Sequence, residues 1–550
     1  MIVDFGYDAA RAKRRAPAWR KTAVAYWAKA PLPRHQALLI GVSLDESIDA
    51  GHPVRVLEEI LGALEFGEFE AQYDGTIGQP PIHPRVMAGV LIYGMIKGLL
   101  SSRALEDACL NRLDFMWLTE GRRIDHSTIC EFRTGFGAQI GGVLRQVVQL
   151  AVGMGLSNLG SIALDGTRIR ANSSRHGTRT ARELSKDLAA VQEQVEQLLE
   201  EAADADRRDG ERYGAKQTPN RLPRRLADKQ RRGERLEQAL AEAQRRDAEA
   251  EAKGRRSGEK EGKGRPATVP VADPESRISP NKEGGHAPNY TPLAAVESKG
   301  GLIVEADVVA EPNESAMTVP MVQRVEQSYA ERPAQLLADS HHGTGPNLQQ
   351  LDQMGVEAFV PVQEWQDGAG NPARRADPSR PVAAHLHGEL PLRAEGILDR
   401  AAFVYDAVRD CYWCPTGRRL EYWHERKRRD RGGRSERKYR SADCGGCALA
   451  ARCLRSGAKL RTVGRDQYQR WREEAMARLE EQSGARTYAR RLWASETPFA
   501  VIKHVMGLRQ FLTRSLKKVK TEWLWACAAY DVRKLMAALR DGEVELAAGV

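Results

Sequence analysis

The chain has no run of apolar residues long enough to cross a bilayer. Its longest apolar stretch, VMAGVLIYGMIKGLL, is short of a span and carries Lys97. The opening segment MIVDFGYDAARAKRR lacks the apolar centre of a secretory leader, so a soluble, cytoplasmic protein is expected. Cysteine is sparse: eight residues in a chain of 550 do not make a disulfide scaffold. Charge of one sign does not dominate either. The 84 Lys+Arg against 74 Asp+Glu leave a formal charge of +10, a modest excess that suits a polyanionic partner without proving one.

What is present is clustered. Basic residues gather in RAKRRAPAWRK near the start, in ERKRRDRGGRSERKYR ending at Arg440, and in RSLKKVK from Arg514 through Lys517 to Lys520. One such cluster reads as a solvated face, but recurrence in three regions favours phosphate contact. Five of the eight cysteines fall between Cys411 and Cys453. The length calls for two to four compact units.

Residues 1–155 read as helical, with apolar residues at three- and four-residue spacing in PRVMAGVLIYGMIKGLL and RALEDACLNRLDFMWL. In RIDHSTICEFRTGF, Thr128 and Glu131 have capping-box spacing before a short helix bearing Arg133. That helix either enters a major groove as half of a helix-turn-helix or simply packs. From Leu156 the pattern changes to a strand and turn, GSIALDGTRIRANSS. Leu184, Leu188, Val191, Val195 and Leu198 then form one helical stripe, and Leu226, Leu236 and Leu240 a second. An antiparallel helical hairpin accounts for both, with a dimer-forming coiled coil as competitor. EAKGRRSGEKEGKGRPATVP reads as a solvated linker. A hairpin (NYTPLAAVES, GLIVEADVVA), a helix from Asn313 to about Ala330, the strand AQLLADS, a helix near GPNLQQLDQMG and the strand EAFVPVQ follow.

Without the inserts the order is β, β-hairpin, α, β, α, β, a ribonuclease-H-like arrangement within an α/β fold. In it the first strand lies beside the strand after the first helix, which would bring Asp165 and Asp339 to one sheet edge. A late helix containing Glu496 can then close the site. Three converging carboxylates repel unless cations neutralise them. Magnesium, or manganese, takes such oxygen ligands, and two ions roughly 3.5 to 4 Å apart can support in-line displacement at phosphorus. Taken singly, each acid has a plain reading: Asp165-Gly166 as a turn, Asp339 as a cap, Glu496 as a helix-start residue. His341 and His342 lie close enough to touch the site, but are expected as exposed loop histidines.

Cys411-Tyr-Trp-Cys414 and Cys444-Gly-Gly-Cys447, with Cys453 following, have the paired spacing of a structural zinc site with one ligand in excess. Ribbon spacing favours Cys411 over Cys453. The site would fold a small insert and present the basic loop from Arg426 to Arg440 to DNA.

The chain resembles the DDE-type transposases of bacterial insertion sequences, in the branch with a helical amino-terminal DNA-binding region and a cysteine-rich insert. The resemblance is carried by PIHPRVMAGVLIYGMIKGLLSSRALEDACLNRLDFMWL, IDHSTICEFR, IALDGTRIRANSS, LLADSHHG and YARRLWASETPFAVIKHVMGLRQFLTRSLKKVKTEW. It implies that Asp165, Asp339 and Glu496 hold the catalytic metals, that Lys503 holds a phosphate beside them, and that Tyr488 and Arg491 contact DNA. The gaps Tyr488 to Arg491 and Glu496 to Lys503 match the family pattern, whereas Arg491 to Glu496 is one residue longer. On a continuous helix Glu496 and Lys503 would share a face, unless Pro498 kinks it. The resemblance favours Cys414, Cys444, Cys447 and Cys453 as the zinc ligands.

The expected protein is therefore a transposase that binds terminal inverted repeats, cleaves the element ends and joins them to target DNA. It would act as a homodimer or higher oligomer on double-stranded DNA, associated with the nucleoid. A non-catalytic DNA-binding derivative is the alternative. The expected organisation is a helical DNA-binding domain (1–155), core segments (156–180 and 266–362), a helical insert with its linker (181–265), an insert (363–482) whose zinc module spans about 405–460, and a C-terminal catalytic helix region (483–550).

Overall fold

The computed structural model describes residues 43–73, 80–213, 224–257, 265–281, 284–363, 367–368, 370–428 and 434–546. The cluster RAKRRAPAWRK, residues 258–264 of the expected linker and the tip of the basic loop lie outside the described residues, while the linker's first seven residues instead continue a long helix to Ser257 and its last three pair as a strand, Thr268–Pro270. The first helices are α1 (Pro53–Gly62), α2 (Gly67–Glu70), α3 (Pro84–Ile96), α4 (Ser102–Asn111), α5 (Leu113–Leu118), α6 (His126–Gly135) and α7 (Gly137–Gly153). α3 opens on Pro84, whose missing N–H costs nothing in a first turn, and all its residues from Pro84 to Met95 are buried. That is why its sequence is apolar on every side.

Two expectations for α6 are corrected here. The helix begins at His126 beneath Asp125, whose carboxylate accepts from the N–H groups of Ser127 and Thr128, so Thr128 is inside the first turn and is not its cap. Arg133 is only 4% exposed, and its carbonyl accepts from Trp525 Nε1 at 3.1 Å. Burial lowers the affinity of its guanidinium for a proton, with Glu522 opposing. Arg133 therefore packs in the interior and is not offered to a DNA groove.

The central sheet is built from β1 (Ser161–Gly166), β2 (Ile169–Arg170), β5 (Arg277–Pro280), β6 (His286–Glu297), β7 (Ile303–Val309), β8 (Gln335–Ala338) and β9 (Glu357–Phe359). β7, β6, β1, β8 and β9 lie side by side, while β2 and β5 extend the first half of β6. β6 is antiparallel to β1 and β7; β1, β8 and β9 are parallel. Alternation along each strand sends residues to opposite faces. Ile162, Leu164, Leu336 and Ala338 enter one apolar cluster, with α10 (Thr318–Tyr329) and α11 (Gly345–Gln353) packed over it. Ala163 and Leu337 enter the other, larger cluster.

Between β3 (Thr178–Thr180) and β4 (Thr268–Pro270) the chain makes two long helices, α8 (Ala181–Tyr213) and α9 (Arg224–Ser257). They close on Leu184, Val191, Leu236, Ala239 and Ala243, with Leu188, Val195 and Leu240 partly buried beside them. Lys229 donates to Gln194, which fixes an antiparallel arrangement with β3 and β4 paired at its base. The apolar stripe of α8 is thus covered by the same chain.

After β9 a second, five-stranded sheet runs β10 (Val404–Asp406), β11 (Cys411–Trp413), β12 (Arg419–Arg428), β13 (Arg434–Ser441) and β14 (Thr462–Asp466), with the short α12 (Ala450–Cys453) between the last two. Its core is separate, centred on Phe403, Tyr412, Leu420, Tyr439 and Val463. Then come α13 (Gln469–Glu480), α14 (Gln482–Ala500), a wide π turn (Val501–Val505) and α15 (Leu516–Arg540). α15 is buried along most of its length. Trp523 Nε1 donates to Leu293 O at 3.0 Å, Tyr530 hydroxyl to Gly301 O at 3.2 Å, and Asp531 accepts from Ile303 N at 2.9 Å. One apolar cluster consequently runs unbroken from α1 and α3 through α15 to the sheet.

Candidate active site

β1 and β8 run parallel in a register that pairs Leu164 with Ala338. The next residue on each strand is an aspartate. By the alternation that sends Ala163 and Leu337 to the larger cluster, Asp165 and Asp339 leave the sheet on that same face, at the carboxyl ends of neighbouring strands. Open α/β sheets place ligand sites at such ends, because the loops diverge there.

Asp165 accepts from Gly166 N at 2.8 Å and forms an ion pair with Arg491 at 3.1 Å. Burial pushes its carboxyl above the usual range, Arg491 pulls it down, and Asp339 pushes it up again. Asp339 accepts from His341 N at 2.9 Å, with His341 Nδ1 at 3.3 Å. His342 is fully buried, which corrects the expectation of an exposed loop residue. Its Nδ1 is 2.8 Å from Thr318 Oγ1 and its Nε2 is 4.0 Å from Asp339 Oδ1. Burial pushes the His342 imidazole down to about 4.

A third acid near the pair is Glu314, in the loop ahead of α10. Its carboxyl is raised by burial first and then by Asp339 and Asp165, and a Cβ on Gly166 would lie 3.2 Å from Glu314 Oε1. Gly166 is thus a position where a side chain would crowd the site. The sequence gives no cue to Glu314, because EPNES has neither strand nor helix periodicity.

α14 supplies the wall over the aspartates. Arg491 and Ser495, one turn apart, both face Asp165; Ser495 is fully buried. Tyr488 is half-buried behind Arg491, and burial raises its hydroxyl. Glu496 is exposed, and one helical step, roughly 100°, separates it from the Ser495 direction. The expected shared face of Glu496 and Lys503 is also changed. α14 ends at Ala500, shortly after Pro498, and the π turn takes in an additional residue per turn. Lys503 consequently donates to Thr167 Oγ1, two residues beyond Asp165. Asp165, Asp339, Arg491 and Lys503 are brought to one region; no direct bond joins Glu496 to them. Among the described residues no three Asp, Glu, His or Cys side chains are drawn tightly enough together to cage an ion.

Arg514 Nε donates to Asn172 O at 3.0 Å, tying the segment before α15 to the loop after β2, while Lys517 is exposed on the first turn of α15. In the second sheet, Cys414, Cys444, Cys447 and Cys453 line one cavity with Phe403, Leu449 and Arg461. Cys411 does not; it is buried on β11. Burial pushes the Cys453 thiol up to about 11, with Arg461 opposing and the other three thiols reinforcing.

Residues 413–536 match the family model described as a transposase DDE domain, and residues 42–135 match the transposase domain family DUF772. The first match spans four of the clustered cysteines together with Tyr488, Arg491, Glu496 and Lys503, whereas Asp165 and Asp339 fall outside both. The aspartate pair therefore stands on strand register alone. No curated protein and no solved structure matches the chain.

Proposed function

Because the chain belongs to the DDE-type insertion-sequence transposases, we propose that it binds the terminal inverted repeats of its element, cleaves there and joins the ends to target DNA. The sheet would then be the ribonuclease-H-like core of that chemistry. The observation that carries the reading is the placement of Asp165 and Asp339 at the carboxyl ends of parallel neighbours, with Arg491 and Lys503 arriving from α14 and the π turn.

The donor set fits a hard divalent cation such as magnesium. It consists of carboxylate oxygens, and burial penalises the charge on Asp165, so a cation beside it would be favoured. Asp165 and Asp339 would hold the cations, with Glu496 closing the set by a change of side-chain rotamer or of helix position. Bound there, the cations supply activation of the attacking oxygen and stabilisation of the leaving one. The chain's own residues do the rest. Lys503 offers a positive charge to a backbone phosphate near Thr167, Arg491 restrains Asp165, and His342 and Thr318 brace the Asp339 loop. Tyr488 and Lys517 extend the contact to flanking DNA. Synapsis of two ends would call for a dimer or higher assembly.

The thiol cavity offers the donor type of a structural zinc ion: four free cysteines line one space without Cys411, and they would have to draw closer to enclose the ion. Zinc there would staple the small second sheet.

The test is nicking of end-labelled duplex carrying the element ends, with magnesium or manganese. Asp165→Asn, Asp339→Asn and Glu496→Gln should each lower cleavage by at least about 100-fold while leaving DNA binding in place, as expected for loss of a charge-stabilising group at the reacting centre. Full activity in the Glu496→Gln enzyme would remove Glu496 from the site; full activity in all three would remove the mechanism.

A further inference from the structure

At the opposite end of β1 from the aspartates, a cleft of about 750 Å³ opens between the N-terminal helices, the β6–β7 turn and the last turns of α15. Five cations line it: Lys97 at the end of α3, Lys299 in the β6–β7 turn, and Arg533, Lys534 and Arg540 on α15. Asp541 and Glu543 are the acids in the lining, so positive charge dominates. We propose that this cleft binds the phosphate backbone of nucleic acid, as a contact separate from the catalytic end of the sheet. The proposal rests on the transposase reading and extends it to a second surface.

Three observations distinguish the cleft from an ordinary solvated face. First, it is concave and its floor includes Ile96, Leu156 and Leu302, so a low-dielectric wall lies behind the charges and focuses their field. Second, the cations are held in place. Lys299 Nζ donates to Gly155 O at 2.9 Å, and Lys534 Nζ lies 5.4 Å from the Trp493 ring and 5.8 Å from the Tyr530 ring. Third, Arg533 is half-buried, yet among the described residues it has no ion pair or hydrogen bond, so its donors remain for an incoming acceptor.

The spacing selects the ligand. Arg533 and Arg540 are two turns apart on one face of α15, roughly 10 Å along the axis. A nucleic-acid strand presents a phosphate about every 3.4 Å of rise, so that interval spans about three phosphates, more than one isolated phosphate group could bridge. Lys97 and Lys299 meet the same strand from the other walls. β1 places this surface roughly 15–20 Å from Asp165, which permits a single protein to hold one DNA segment here while another occupies the aspartates.

The experiment compares the full-length protein with Lys97→Ala/Arg533→Ala/Arg540→Ala and with Arg533→Lys/Arg540→Lys. Binding to a mixed-sequence duplex is titrated over a range of potassium chloride, with thermal melts to check folding. The proposal expects at least a ~10-fold loss of affinity at low salt in the alanine variant. It also expects a fall of about 2–3 in the slope of log K against log salt, near 0.9 per lost phosphate contact. The lysine variant should keep the slope, and Asp165→Asn should keep it too. Duplex should further protect Lys97 and Lys299 from acylation. An unchanged slope with unprotected lysines overturns the cleft while leaving the transposase reading intact. If ATP at equal phosphate concentration displaces the duplex from the cleft as effectively as DNA itself, the site is a nucleotide pocket and the proposal falls. No DNA affinity in the parent protein would sink both readings together.

Discussion

Arg491 stands against Asp165 where a cation would otherwise compensate a buried negative charge, and the two are competitors for the same carboxylate. Both side chains are mostly shielded, at 13% and 17% exposure, so removing one leaves the other poorly solvated. Arg491→Ala should destabilise the fold by roughly 2 kcal/mol. Magnesium should then raise the melting temperature of Arg491→Ala more than that of the parent, because the vacated carboxylate becomes available to a cation. Scanning calorimetry with and without the ion checks this, and an equal rise in Arg491→Ala/Asp165→Asn would refute it. Glu305 gives a second residue-scale expectation. Burial lifts its carboxyl from 4.5 to about 7, although Arg324 lies 3.7 Å away. The folded chain holds the proton more tightly than the unfolded one, so this contribution is complete below 4.5 and is lost as pH rises through about 7. Glu305→Gln removes the titration. Its stability relative to the parent should increase between pH 5 and 8 by up to about 3 kcal/mol, read from urea unfolding at each pH.

The elements differ in how much of their chemistry could be read from composition. β1, β8 and the hairpin β6–β7 were legible because short apolar runs end at turn residues, and Asp165 and Asp339 were placed by the strand order that follows. The π turn was not legible: Lys503 is seven residues past Glu496 whether or not the helix widens, and only the folded chain brings it to Thr167. The choice between groove and packing for Arg133 was not legible either, because a basic residue in a short helix gives no sign that Trp525, almost four hundred positions later, covers its backbone. α15 hid its role for a related reason: RSLKKVK reads as surface, while Trp523 and Trp525 directly after it are fully buried. The second sheet carries the prediction at this scale. Its core shares no residue with the larger clusters, and the four cysteines that line its cavity form no disulfide. If zinc holds them, chelation should melt this sheet in a separate, lower transition, leave the main one in place and release about one ion per chain to a chromogenic chelator. Cys444→Ser/Cys447→Ser should lose both the early transition and the metal.

At the scale of the molecule, the sheet and the N-terminal helices share one continuous apolar cluster, whereas the α8–α9 hairpin is a bolt-on with a small cluster of its own. Sequence periodicity showed the hairpin's stripe but left open whether a second chain would cover it; the structure covers it within the chain. Its attachment makes a sharp expectation possible. β3 and β4 pair antiparallel at the base, with Thr180 opposite Thr268, so the ends of the excursion already lie at hairpin distance. Replacing residues 181–267 with Asn-Gly would ask a two-residue turn to join strands that are in register for it. The twist of a type I′ turn matches that of paired strands, and no residue of the larger clusters is removed. The shortened protein should therefore keep the main unfolding transition within a few degrees and lose helical ellipticity in proportion to the two helices. Cleavage of naked end-containing DNA should persist, because Asp165, Asp339 and Glu496 are untouched. A shortened protein that folds yet fails to cut would mean that the hairpin takes part in gripping DNA or in pairing copies of the chain. Sedimentation of the two proteins on end-containing duplex separates those outcomes: a grip lost from DNA lowers occupancy at every protein concentration, whereas a lost pairing leaves single chains bound.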